Sequence, residues 1–180
     1  MKNTLKKLGV ILGATLCLGS TVMASPIQDN NVIVSNDRYT IKLSSDVQLT
    51  SSTGETFPVY EVTGDISNEE LETYGIFGSS FEGEIDFGTI SPNKEKKSTA
   101  ESLRKNDEVH LKNLKWESGI PIHIGVIDTD TDTRYYSNMS SGSFSGYFTI
   151  KVSGDYKLFI KNVGYESVKV AGKVQIEEAN

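Results

Sequence analysis

The chain has 180 residues, with 18 basic and 24 acidic side chains and a formal net charge of −6. An acidic surface repels phosphate backbones and anionic lipids, so nucleic acid and membrane surfaces are excluded as expected partners. Because Cys17 is the single cysteine, a disulfide framework within the chain and a cysteine-ligated zinc site are excluded as well.

Residues 1–24 have the three parts of a secretory signal peptide. Three lysines form a basic start, an apolar run follows, and small residues precede a cleavage position after Ala24. The apolar run is too short for a membrane span, so we expect a secreted or surface-associated mature chain, residues 25–180, that does not cross the membrane. A lipoprotein anchor at Cys17 is the alternative, although Leu16 is bulky where a lipobox needs a small residue.

Alternating apolar and polar residues behind the leader predict half-buried antiparallel strands. The clearest strands lie between residues 143 and 177, where three sets of apolar side chains recur at every second position: Phe144, Phe148, Ile150 and Val152; Tyr156, Leu158 and Ile160; Val168, Val170, Val174 and Ile176. About nine to eleven strands of this kind predict a single all-β domain, an antiparallel β-sandwich, over residues 25–180. Residues 25–80 are a candidate N-terminal extension of that domain.

Two local features depart from simple alternation. Ser67 and Glu70 have capping-box spacing and Gly75 can end a helix, so we predict one short helix near 68–74. Apolar residues also change parity between Val109 and Trp116. A β-bulge near residues 112–113 would return them all to one face.

Side chains at the remaining positions of the last strands are rich in lysine. Lys157, Lys161, Lys169 and Lys173 alternate against the buried rows. Alternating positions of a strand lie on opposite faces of its sheet, so we expect these lysines to form a basic outer face.

The strongest candidate site is the acidic run Asp128, Asp130 and Asp132. Alternate residues of an extended segment lie on one face, so the three carboxylates would repel one another unless a cation lies between them. Calcium is the cation that oxygen ligands favour outside cells, so the sequence predicts no required cofactor, with calcium as the ion that the acidic run could bind. An EF-hand is excluded because Thr133 and Met139 replace its glycine and its bidentate acid. A solvated hairpin end is the alternative interpretation.

Aromatic side chains suggest a second, carbohydrate-binding site. Tyr135 and Tyr136 are adjacent strand residues, so at least one should face solvent, and together with Trp116 they could stack on sugar rings. Trp116 shares its parity with apolar neighbours, so a core position is the alternative for it. His110 and His123 are expected to be structural, because without cysteine they would need carboxylates from remote segments to bind a metal.

Residues 98–177 resemble the pre-peptidase C-terminal domains of bacterial secreted proteins and related jelly-roll modules. The resemblance is carried by the runs NDEVHL, IHIGVID, GYFTIKVSGDYKLFIKN and VKVAGKV. It implies a jelly-roll-like β-sandwich, a non-catalytic role and contact with calcium or carbohydrate. The sequence departs from the family at Ile122-His123-Ile124, where the family often has acids alternating with leucine, which puts a family-type acidic site there in doubt.

No arrangement of residues in the sequence indicates a particular reaction. The segment 142–146 has the glycine spacing of a nucleophile elbow, but its central residue is Phe144 rather than serine. The sequence therefore predicts a non-enzymatic binding or surface-associated protein whose partner is cell-wall or matrix carbohydrate or another surface protein. Two alternatives stay open, namely a carboxylate-dependent polysaccharide hydrolase and a self-assembling fibre or layer subunit.

Overall fold

The computed structural model describes residues 32–35, 39–64, 73–77 and 83–179, and within these ranges all regular structure is β-strand. There are fourteen strands in the described ranges: β1 Val32–Ser35, β2 Tyr39–Leu43, β3 Val47–Ser51, β4 Thr56–Phe57, β5 Tyr60–Gly64, β6 Thr73–Phe77, β7 Gly83–Ile90, β8 Glu95–Leu103, β9 Glu108–Lys115, β10 Ile122–Asp128, β11 Thr133–Met139, β12 Ser143–Ile150, β13 Gly154–Asn162 and β14 Val168–Glu177. This number is larger than the nine to eleven expected from the pattern.

Eight consecutive strands, β7 to β14, form a jelly roll. One sheet contains the neighbours β7-β14-β9-β12 and the other contains β8-β13-β10-β11, with antiparallel pairing throughout. An eight-stranded double sheet in which the chain alternates between the sheets in this order has jelly-roll topology. The structure therefore confirms the predicted jelly-roll-like β-sandwich.

The six earlier strands extend both sheets at their edges. β3 pairs with β12 and carries β4, while β5 pairs with β11 and carries β2 and β1. β6 adds to β8 as the one parallel pair in the described part of the chain. The finished sheets contain six strands, in the order β4-β3-β12-β9-β14-β7, and eight strands, in the order β1-β2-β5-β11-β10-β13-β8-β6.

The hydrophobic core lies between the sheets and is built from the alternating rows. Side chains with 2% exposure or less include these members of the predicted rows: Phe148, Ile150, Tyr156, Leu158, Ile160, Val168, Val170 and Val174. Val152 was placed in the first row by its parity, but it is 48% exposed. The reason is that β12 ends at Ile150, so the alternation no longer applies at Val152.

A β-bulge in β9 corrects the change of parity as predicted. Between Leu111 and Leu114, β9 advances three residues while its partner β12 advances two. Asn113 has a φ of 53°, and its N–H donates to Ser145 Oγ at 3.0 Å. Because the bulge absorbs one residue, both leucines are buried in the core.

The helix predicted near 68–74 falls mostly outside the described residues. Its last two residues, Thr73 and Tyr74, begin strand β6, so the prediction is wrong for them. Pairing with β8 overrides the local helical signal there, since a short helix has little stability of its own. No helix among the described residues is long and apolar enough to cross a membrane. Residues 1–24, the predicted signal peptide, also lie outside the described residues.

The basic outer face predicted from the lysines is divided between the two sheets. Lys157 and Lys161 belong to β13 in the eight-stranded sheet, whereas Lys169 and Lys173 belong to β14 in the six-stranded sheet. The outward faces of two packed sheets point in opposite directions. The four lysines therefore form two separate pairs rather than one basic surface.

Candidate functional site

The connections of the sandwich gather at its two ends. The acidic run lies at one end, which we call the acidic end, in the loop between β10 and β11. The same end contains the loops 44–46, 104–107 and 151–153. The opposite end, which we call the pocket end, contains the loops 52–55, 116–121, 140–142 and 163–167.

Asp128 stabilises the turn that contains the acidic run. It is buried, and its Oδ1 accepts the backbone N–H groups of Asp130 at 2.9 Å and of Thr131 at 3.4 Å. Asp130 and Asp132 are exposed, and Asp132 closes the turn with a φ of 53°. The turn thus uses one of the two Asp128 oxygens, and calcium binding by the run stays a prediction.

The buried tyrosines near the acidic end are held neutral. Burial raises the pKa of Tyr156 to about 12, and the nearby carboxylates of Asp128 and Asp46 add to the effect. Burial and the charge of Glu61 likewise raise the pKa of Tyr135 above its usual range. Since both phenols keep their protons at neutral pH, neither is a candidate general base.

The structure does not bring together the three aromatic residues predicted to bind carbohydrate. Trp116 and Tyr135 belong to the core cluster, with exposures of 7% and 5%. The Trp116 Nε1–H donates to the Ile120 carbonyl at 3.1 Å and so anchors the β9–β10 turn. Tyr136 lies on the other face of its sheet from Tyr135 and is half-buried. A ligand role for Tyr136 stays a prediction.

A pocket of about 440 Å³ opens at the pocket end, between the β3–β4 turn, the β9 bulge and the β11–β12 loop. We call it the serine pocket. The described residues that line it are Ser51, Ser52, Thr53, Phe57, Asn113, Leu114, Lys115, Met139, Ser141, Ser143, Phe144 and Ser145. Phe57 and Phe144 meet edge to face, with ring centroids 5.7 Å apart, and contribute aromatic surface to the lining.

The serine pocket contains both engaged and free hydroxyl groups. Ser51 Oγ accepts the Glu55 N–H at 3.0 Å, and Ser145 Oγ accepts the Asn113 N–H. By contrast, the exposed side chains of Ser52 and Ser143 make no hydrogen bond to any other described residue. These two hydroxyls are available to a ligand as donors and acceptors.

Each of the two histidines stacks on a tyrosine on the outward face of a sheet. On the eight-stranded sheet, the rings of His123 and Tyr136 are 4.3 Å apart with an interplanar angle of 19°. On the six-stranded sheet, the rings of His110 and Tyr147 are 5.0 Å apart at 27°. Burial lowers the pKa of His123 to about 4, helped by the ammonium of Lys161, so this imidazole is neutral at physiological pH.

Close to His123, the outward face carries a buried group of charges. Arg134 donates two hydrogen bonds to Glu95, at 2.7 and 3.2 Å, and Lys97 lies 2.8 Å from the same carboxylate. Burial alone would raise the pKa of Glu95, but hydrogen bonds and charge from Arg134 and Lys97 lower it below its usual range. The Arg134 Nε has no hydrogen-bond partner among the described residues, but both cations pair with the buried carboxylate, so we interpret the group as structural.

A histidine and two carboxylates converge near the acidic end of the six-stranded sheet. His110 Nε2 is 2.9 Å from Glu108 Oε2 and 3.5 Å from Glu177 Oε2. Within the described ranges, this is the one set of three side chains of metal-ligating type whose ligand atoms all lie within 4.8 Å of one another. Sequence reasoning missed the set because Glu177 comes sixty-seven residues after His110 and only the β9–β14 register brings them together.

Comparisons with known proteins do not identify a family for this chain. No protein-family model matches it, and a search of curated proteins finds no match. The resemblance to pre-peptidase C-terminal domains therefore stays a prediction.

Proposed function

We propose that this protein is a non-enzymatic jelly-roll binding protein that works outside the cell and binds carbohydrate of the envelope or matrix in the serine pocket. One observation carries the proposal: the described lining of the pocket combines hydroxyl groups with aromatic and aliphatic surface and includes no histidine, aspartate or glutamate. Such a lining can recognise a ligand, but it offers no carboxylate or imidazole for acid–base chemistry.

A sugar ring matches this lining on both of its surfaces. Its hydroxyl groups need partners that can donate and accept, which the Ser52 and Ser143 side chains can do. Its C–H face needs apolar contact, which the partly exposed Phe57 offers, supported by the buried Phe144 ring behind it. Lys115 is the one charged residue among the described lining residues, so the pocket also suits a sugar that carries a carboxylate.

The hydrolase alternative has less support. A glycosidase needs two carboxyl groups about 5 to 10 Å apart on either side of the scissile bond. A serine hydrolase instead needs a base within hydrogen-bond reach of its nucleophile. Neither arrangement is found among the described residues that line the serine pocket.

Action outside the cell rests on the leader. The basic start, apolar run and small residues before Ser25 support export and cleavage. The check is the mass of the protein recovered from culture medium, which should correspond to a chain that begins at Ser25. Recovery of the full-length chain from the cytoplasm alone would contradict this part of the proposal.

The binding test uses the mature chain on a panel of neutral and acidic glycans, followed by calorimetry with the best ligand. Replacing two free hydroxyls in Ser52→Ala/Ser143→Ala should weaken binding about 10- to 30-fold, since each lost hydrogen bond costs about 1 kcal/mol. The matched control is Ser118→Ala/Ser167→Ala, which removes two exposed hydroxyls outside the pocket lining. Absence of binding across the panel, or equal affinity in both double variants, would overturn the proposal.

A further inference from the structure

Strand register places three metal-ligating side chains on one outward surface of the six-stranded sheet. Glu108 and His110 are alternate residues of β9 and therefore share a face. Glu177 of β14 lies directly opposite Glu108, and Tyr147 of β12 lies directly opposite His110. The stack on Tyr147 supports one side of the His110 ring, so the imidazole is held beside the two carboxylates.

The two carboxylates form an unfavourable pair without a cation. Like charges directly opposite each other on neighbouring strands destabilise a sheet. Among the described residues, no lysine or arginine lies within salt-bridge distance of either carboxylate. The ammonium of Lys112, nearby on β9, instead donates to Gln175 Oε1 at 2.6 Å. His110 hydrogen-bonds Glu108 at 2.9 Å and is the one basic side chain among the described residues that lies within 4 Å of both carboxylates.

The spacing of the ligand atoms matches a small tetrahedral cation. Zinc binds nitrogen and carboxylate oxygen at about 2.0 to 2.2 Å, which places neighbouring ligand atoms of a tetrahedron about 3.4 Å apart. The two distances from His110 Nε2 to the carboxylate oxygens, 2.9 and 3.5 Å, bracket that separation. We infer that Glu108, His110 and Glu177 bind a divalent transition metal of the zinc type.

The chemistry of the three ligands selects zinc over calcium. Calcium takes six to eight oxygen ligands, whereas this group has one imidazole nitrogen and two carboxylates. Three protein ligands leave a fourth position for water. The Glu177 side chain is 52% exposed, so the metal can enter from solvent. This zinc site is separate from the acidic run at Asp128, and it does not depend on the carbohydrate proposal.

Calorimetry of the metal-free mature chain with zinc chloride tests the inference. We expect one zinc per chain and a rise in melting temperature of about 5 °C or more at about 100 µM zinc, as for a site with micromolar affinity. His110→Ala and Glu177→Gln should each abolish the rise. The matched control, Glu178→Gln, removes the neighbouring exposed carboxylate and should keep it.

Two further measurements test the zinc site even if a variant fails to fold. Cobalt added to the wild-type chain should give visible d–d absorption that an equivalent of zinc removes, and absence of that absorption would overturn the site. Calcium at the same concentration should produce no thermal shift that depends on His110. Zinc binding that survives in folded His110→Ala and Glu177→Gln would place the metal elsewhere and overturn the inference.

Discussion

The two histidine–tyrosine stacks have similar geometry in opposite surroundings. Both lie on outward sheet faces and both imidazoles are partly buried, but the charged groups beside His123 are buried, whereas the carboxylates beside His110 are partly exposed. Around His123, the charges of Glu95, Arg134 and Lys97 are paired with one another. Around His110, two acids share one imidazole. The outward face of a sheet therefore has no fixed role, because the depth of burial decides whether polar groups stabilise the fold or remain available to a ligand.

The largest expected effect comes from breaking the charge group beside His123. Arg134→Met would leave Glu95, whose side chain has no exposed surface, with Lys97 as its remaining ionic partner among the described residues. Removing one partner of a buried ion pair costs about 3 to 5 kcal/mol, which urea unfolding would measure. Arg104→Met at an exposed position is the control and should change stability by less than about 0.5 kcal/mol. A similar loss in both variants would show that the pairing is not the cause.

A pH titration of stability should detect the buried environment of the His123 imidazole. The pKa of His123 falls from 6.5 in the unfolded chain to about 4 in the folded protein, so between these values the unfolded state binds the extra proton. The stability that His123 contributes is present above pH 6.5 and decreases as the pH falls towards 4, by about 3 kcal/mol in total. In His123→Phe the aromatic stack is kept and this part of the pH dependence should vanish. Parallel curves for wild type and variant would contradict the assignment.

Gly125 lies directly opposite Tyr136 on β11 and Phe159 on β13, and adding a methyl group there tests how tightly that face is packed. A Cβ at Gly125 would lie 2.7 Å from Phe159 Cε1 and 2.8 Å from Tyr136 Cα, and it would also contact the Tyr135 carbonyl oxygen. Gly125→Ala should therefore cost about 1 to 3 kcal/mol of unfolding free energy. Gly54→Asn, at an open turn position with a φ of 87°, is the control and should cost less. Equal losses of unfolding free energy in the two variants would mean that the structure around Gly125 can relax.

The smallest effect on the unfolding free energy is expected at His110. In metal-free protein, His110→Ala should change the unfolding free energy by less than about 1 kcal/mol, because ion pairs near the surface contribute little. Chemical denaturation with and without a chelator would measure it. A larger loss in the metal-free state would mean that His110 stabilises the fold directly, as His123 does.

Most of the strands could be predicted from the sequence, but their partners could not. The period-two rows of β13 and β14 are strong because most of their apolar side chains fall on one face, Phe159 being the exception in β13. The parity change around Lys112-Asn113 likewise predicted a bulge before any partner strand was known. The division of β13 from β12 and β14 between two sheets depends on long-range pairing, which alternation does not encode. Because alternation does not assign strands to sheets, it predicts one basic face for four lysines that the structure divides between the two sheets.

The candidate sites were harder to predict for a related reason. The acidic run and the tyrosine pair are visible locally, whereas the serine pocket is assembled from three loops that are distant in sequence. The convergence of Glu177 on His110 likewise depends on one register between β9 and β14. Alternation places Tyr135 and Tyr136 on opposite faces of the sheet, but it does not say which of the two faces the core. The burial of Tyr135 could therefore not be predicted from the sequence.

The early strands attach to the late ones, and this determines when the molecule can fold. Leu49 of β3 pairs with Phe148, and Glu61 of β5 pairs with Tyr135. The partner strands β12 and β11 are therefore synthesised much later than β3 and β5 themselves. Such non-local pairing gives a high contact order and slow folding, on the order of milliseconds to seconds. A chain made from its N-terminus can pair β2 with β5 and β3 with β4 early, but one edge of β3 and one edge of β5 lack their partners until β11 and β12 are made. During that interval, premature strand pairing between chains is the main competitor of folding.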